Sequence, residues 1–168
     1  MTNHARQGDV PGGRSLQLTA EHLVLAVTCV PGSTAACAAH GDESTVAVLA
    51  DYYALVAHAA ASAGGRVIKV MGDAALVIFP VGCVREAVEA MRSLQAKGTS
   101  LWRGFDDRCR VEVKVGAGTV VCGQFGPPDD ERLDVYGDAL NQLFKAASGE
   151  FVLMPEVEDL LEWEAPPK

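Results

Sequence analysis

Residues 23–30 (LVLAVTCV) form an unbroken apolar run, the pattern of a strand covered on both faces, and Pro31-Gly32 ends it. From Ser33 or Thr34 to about residue 63 the chain is rich in alanine, and Leu49, Tyr53, Val56 and Ala60 recur at helical spacing. That predicts one long helix closed by Gly64-Gly65. The stretch RVIKVMGDAALVIF has two strand-like halves about Gly72-Asp73, which predicts a hairpin with a tight turn. Val84, Ala87, Val88, Met91 and Leu94 mark a second helix ending near Lys97-Gly98. Val111, Val113 and Val115 alternate with Glu112 and Lys114, so one face of that strand is buried, and Gly116, Gly118 and Gly123 around TVVC predict a bend and a close backbone approach. After the polar PPDDER loop, LDVYGDALNQLFKAASG ends in a short helix. Residues 151–154 make a last strand, and Pro155 opens a C-terminal helix. The order βαββαββαβα predicts an α/β (α+β) fold, a mixed sheet with helices packed on it.

At 168 residues the chain has room for one such domain, and no internal repeat is visible. The start, MTNHARQGDVPGG, is polar and contains Gly and Pro, so residues 1–20 read as a flexible tail and 21–168 as the domain. Fourteen Lys and Arg against twenty-two Asp and Glu give a formal net charge of −8, which argues against a nucleic-acid or anionic-lipid surface. Small molecules and proteins are the expected partners. The five cysteines, Cys29, Cys37, Cys83, Cys109 and Cys122, form no C-x-x-C pair or secreted-type framework; reduced thiols in a cytoplasmic protein are the expectation. No stretch approaches 18 uninterrupted apolar residues, so no membrane insertion is expected.

Three places carry candidate chemistry. Asp73 in the hairpin turn is a carboxylate on a rigid corner, although Asp is also favoured in turns for local hydrogen bonding. Lys69 stands on the preceding strand and is expected on the same side as Val67 and Met71, and a lysine on a strand is commonly an edge or surface residue. Asn141 and Lys145 are i and i+4 on one helix face, a spacing that a solvated polar stripe shares.

Taken together, KVMGDAALVIF after a Gly-Gly-ended helix, then VEVKVGAGTVVCGQFG, then LDVYGDALN, resemble the class III adenylate and guanylate cyclase family in motif content and order, across roughly residues 22 to 161. In that family the stretches look like K-x-x-G-D-A, G-x-x-x-G-x-V-x-x-G and D-V-x-G-x-x-V-N. The resemblance implies a ferredoxin-like mixed sheet packed with helices, the class III cyclase fold, with two composite sites at a dimer interface. It also implies that Asp73 is a metal-binding aspartate, that Lys69 and Asp134 read the adenine edge, and that Asn141 positions the ribose as its 3′ hydroxyl attacks the α-phosphate.

Two positions depart from the pattern. Where the family has F-x-D-I-x-G-F-T this chain has VTCVPGST, which places Cys29 at the first metal aspartate. Mg2+ prefers oxygen ligands, so a thiol replaces a carboxylate poorly, and phosphoryl transfer leans on metal charge and positioning. Lys145 stands where the family has a transition-state arginine; the charge stays but the planar fork is lost. Gly32, Ser33 and Thr34 still offer backbone amides at a helix start to a triphosphate, and Pro31 removes one. Two expectations stay open. One is a weak homodimeric adenylate cyclase using Mg2+ or Mn2+, with Mn2+ the better helper. The other is a pseudo-cyclase, a nucleotide-binding, dimerising regulatory module of signal transduction or the heterodimer partner of another cyclase domain.

Overall fold

The computed structural model describes residues 6–9, 15–127 and 129–163. The chain runs β1 (Arg6–Asp9), β2 (Ser15–Cys29), α1 (Ser33–His40), α2 (Asp42–Ser62), β3 (Arg66–Met71), β4 (Ala74–Pro80), α3 (Val84–Phe105), β5 (Glu112–Phe125), β6 (Arg132–Tyr136), α4 (Asp138–Lys145), β7 (Phe151–Leu153) and α5 (Pro155–Trp163). The seven strands form one sheet in the order β3-β4-β2-β5-β6; β1 adds to β2, and β7 adds to β5. Every pairing is antiparallel except β5–β7, so the sheet is mixed as expected.

The alternation of β2 divides the core. Val24 and Ala26 turn to one face, where Tyr52, Val56, Met91 and Trp102 of α2 and α3 cover them. Leu23, Leu25 and Val27 turn to the other, where α4 covers part of the sheet with Leu140 and Leu143. The edge strands β3 and β6 approach each other over this second face, and that approach builds one of the two candidate site regions.

Several expectations change. The first central strand begins at Ser15, so residues 15–20 of the expected tail are part of β2; residues 1–5 and 10–14 of that tail lie outside the described residues. The single helix over 33–63 is two helices, broken at Gly41, whose φ of 86° is a left-handed value that ends α1. The helix expected to stop near Gly98 continues to Phe105. Gly98 marks a close approach instead: a Cβ there would lie 2.8 Å from Val111 Cγ2 and 3.1 Å from Tyr52 Cε2. The bend expected at TVVC is absent, since β5 runs unbroken, but the close approach is real, with a Cβ on Gly118 falling 2.5 Å from Ala139 Cβ of α4. Helix α2 has a mean hydropathy of 1.2, apolar enough in composition to cross a bilayer. Here Tyr52, Val56, Ala59 and Ala60 seat it in the core. All five cysteines are unpaired.

Candidate nucleotide site

The end of β2, the start of α1 and the β3–β4 hairpin converge on Asp73. Its Oδ2 accepts from the Val30 backbone N–H at 3.1 Å and from Ser33 Oγ at 2.9 Å, which ties the hairpin turn to the helix start. Tyr53 of α2 braces the same turn by donating its hydroxyl to the Gly72 carbonyl. Gly32 is required where it stands: its φ is 97°, and a Cβ would meet the Arg108 carbonyl oxygen at 2.7 Å. The loop after α3 holds this region from below. Asp106 accepts from the Arg108 backbone and guanidinium and pairs with His40 Nε2 at 3.0 Å, and these bonds hold its carboxyl well below the usual carboxylate range. Ser33, Thr34, Cys37, Asp42 and Asp73 line a cavity of about 470 Å³ beside this junction.

Cys29 is half-buried next to Asp73, and its cross-strand partner is Glu112. Burial first, then the negative charges of Glu112 and Asp73, push its thiol up, so it is a neutral S–H at neutral pH. Glu112 was expected on an open face. It is 4% exposed, and Arg110 pairs with it at 2.8 Å. The donor set is thus one free oxygen of Asp73, a protonated thiol and a carboxylate already neutralised. Among the described residues no three His, Cys, Asp or Glu side chains are grouped to hold a metal.

A second constellation lies at the β3–β6 approach. Lys69 Nζ meets Asp134 Oδ2 at 2.7 Å across 65 positions of sequence. A β-bulge aims the lysine. Val67 pairs with Val77 of the α2–α3 core, whereas after the register shift Lys69 pairs with Leu76 of the opposite core, so the two side chains stand on different faces. The regular-strand expectation, which put Lys69 beside Val67, fails for this reason. Asp134 Oδ1 accepts the Val135 N–H at 2.8 Å, and Oδ2 also accepts Tyr136 Oη at 3.1 Å. Burial raises the Asp134 pKa, but the bonds from Lys69, Val135 and Tyr136 outweigh it and leave the carboxyl below its ordinary value. The Tyr136 ring lies 5.5 Å from Lys69 Nζ and packs edge-on to Phe125 at 4.9 Å. Val70, Phe125, Arg132, Leu133 and this pair line a cavity of about 530 Å³.

Asn141 and Lys145 are exposed on the outer face of α4, opposite the buried Leu140 and Leu143, and line neither cavity. The sequence reading assigns no site role to Tyr136, Tyr53, Asp106 or Glu112. Only Tyr136 carried a readable signal, two residues after Asp134 on a strand and so on its face.

The family model for the adenylate and guanylate cyclase catalytic domain matches residues 19–150. The chain belongs to this family. Solved structures agree on the fold. The cyclase domain is similar to the adenylyl cyclase CyaB from P. aeruginosa at 17% identity and a TM-score of 0.79, over 89% of this chain and 84% of that one. It is similar to the guanylyl cyclase Cya2 at 20% and 0.67, over 84% and 78%. It is also similar to a class III adenylyl cyclase-like ATP-binding protein from Pseudomonas aeruginosa, at 14% and 0.67, over 86% and 36%. A comparison with curated proteins finds no match.

Proposed function

We propose that this cyclase domain binds ATP in preference to GTP and converts it to cyclic AMP and pyrophosphate only weakly. The 2.7 Å contact between Lys69 and Asp134 carries the reading. Their side chains are 33% and 17% exposed, so the pair contributes only about 0–1 kcal/mol to folding, which is little reason by itself for a cation and a carboxylate to be held there. As a reader the pair fits adenine, which presents an acceptor at N1 and a donor at its 6-amino group; guanine presents the reverse order.

Weak turnover follows from the other end. In this family Mg2+ or Mn2+ supplies the charge that stabilises the transferring phosphate, and Cys29 leaves Asp73 as the lone metal carboxylate. Gly32, Ser33 and Thr34 take the triphosphate, Asn141 orients the ribose, and Lys145 offers a single point charge. The Asp73 cavity and the Lys69–Asp134 cavity share no lining residue, which is in keeping with a composite site that takes one from each of two chains. A homodimer, or a heterodimer with another cyclase domain, is the proposed working form.

The pseudo-cyclase reading has its own support, since Asp73 Oδ2 accepts from both the Val30 N–H and Ser33 Oγ and is thus already used within the chain. Titration of ATP and GTP into the wild-type and Lys69→Ala domains tests the nucleotide assignment. ATP should bind tighter than GTP, and the variant should lose the difference. Equal binding of the two by the wild type would overturn the assignment.

A further inference from the structure

Asp134 Oδ2 accepts from both Lys69 Nζ, at 2.7 Å, and Tyr136 Oη, at 3.1 Å, while Oδ1 takes the Val135 amide. A carboxylate oxygen has about two acceptor positions, so Oδ2 is fully used. A purine 6-amino group is a donor, and at Oδ2, the oxygen turned toward Lys69, it finds a place only if one of these two leaves. The Lys69 bond is charge-assisted and short; the Tyr136 bond is neutral at the donor and longer, hence the weaker of the two. Tyr136 is 51% exposed, and its hydroxyl can turn to water without leaving an unpaired buried group. Its ring is held independently, by the edge contact with Phe125 and by Lys69 above it.

Resting on the ATP reading above, we infer that the Tyr136 hydroxyl occupies, in the empty domain, the acceptor position on Asp134 that the adenine amino group takes, and so sets adenine affinity by competition. Tyr136 is then a specificity-setting residue of the nucleotide pocket. Guanine placed in the same orientation turns its O6 acceptor, not a donor, to that position, so the hydroxyl acts on ATP and not on GTP.

The test is Tyr136→Phe, which keeps the ring and removes the donor. ATP affinity should rise about three- to tenfold, the span of one ordinary hydrogen bond, with GTP affinity unchanged. ATP affinity that falls or stays level would overturn the inference and leave Tyr136 a mere prop for Asp134. Titration of the Asp134 carboxyl carbon by NMR in the nucleotide-free domain gives a readout independent of function: its midpoint should move up in Tyr136→Phe, and no movement would also sink the idea. Asp134→Ala separates the two layers. If that variant binds ATP as well as the wild type does, the ATP reading itself has failed and the inference falls with it.

Discussion

Cys29 and Glu112 are cross-strand partners on β2 and β5, a thiol beside a carboxylate that is already buried and paired with Arg110. An aspartate at position 29 would put a negative charge between Glu112 and Asp73, the two groups that already raise the thiol. The thiol removes that repulsion, and with it a ligand. The consequence for reactivity is direct. Alkylation of Cys29 by iodoacetamide, followed by peptide mass spectrometry, should be slower than that of glutathione at pH 7.5 and should keep rising through pH 9, because the thiolate forms only above the ordinary value of 9.0. Fast labelling at neutral pH would mean that the charges around it are arranged differently.

The Lys69–Asp134 contact sets a pH dependence of stability. The folded Asp134 pKa is depressed, so its contribution is present above the unfolded value of about 3.9 and is lost as pH falls through the folded value below it. Asp134→Asn should therefore be less stable than the wild type at pH 7 by up to about 1 kcal/mol, the range for a partly exposed pair. The difference should shrink below about pH 3.9, as urea titrations at several pH values would reveal. A gap that widens in acid would have the sign wrong.

Gly98→Ala sets helix propensity against packing. In an open helix the change would stabilise by about 1 kcal/mol. Here the new Cβ lies 2.8 Å from Val111 Cγ2 and against the buried Tyr52 ring, and overpacking of this kind costs about 1–3 kcal/mol. The packing term should win, and chemical denaturation should show a lower midpoint with an unchanged m-value. A stabilised variant would place α3 farther from α2 and β5 than described.

The outcome at Gly98 also marks where sequence reading loses its grip. A glycine that ends a helix and one that admits a neighbouring strand have the same letter, and only the identity of the neighbour separates them. Gly72 was legible because a turn between two β-rich halves leaves it one role, and Pro155 was legible because proline suits a helix's first residue. The first half of β2, SLQLTAEH, alternates as a half-exposed strand does, but the continuous run from Leu23 outweighed it. At the candidate site, no spacing rule pairs Lys69 with Asp134 from the two ends of the sheet order; family resemblance named them, and a bulge invisible in the sequence aims the lysine. Glu112 was placed on an open face because alternation says which side a residue faces, not what covers that side.

The most direct test of an adenine-reading domain with a disabled metal end is cyclic AMP production from ATP with Mg2+ or Mn2+, comparing wild type, Cys29→Asp, and Cys29→Asp with Asp73→Ala. The wild type should stay near background. Cys29→Asp should exceed it by more than about tenfold, since metal charge and positioning carry this chemistry, and Asp73→Ala should erase the gain. Brisk turnover by the wild type, or no gain from a Cys29→Asp domain that is folded and binds ATP, would contradict the account.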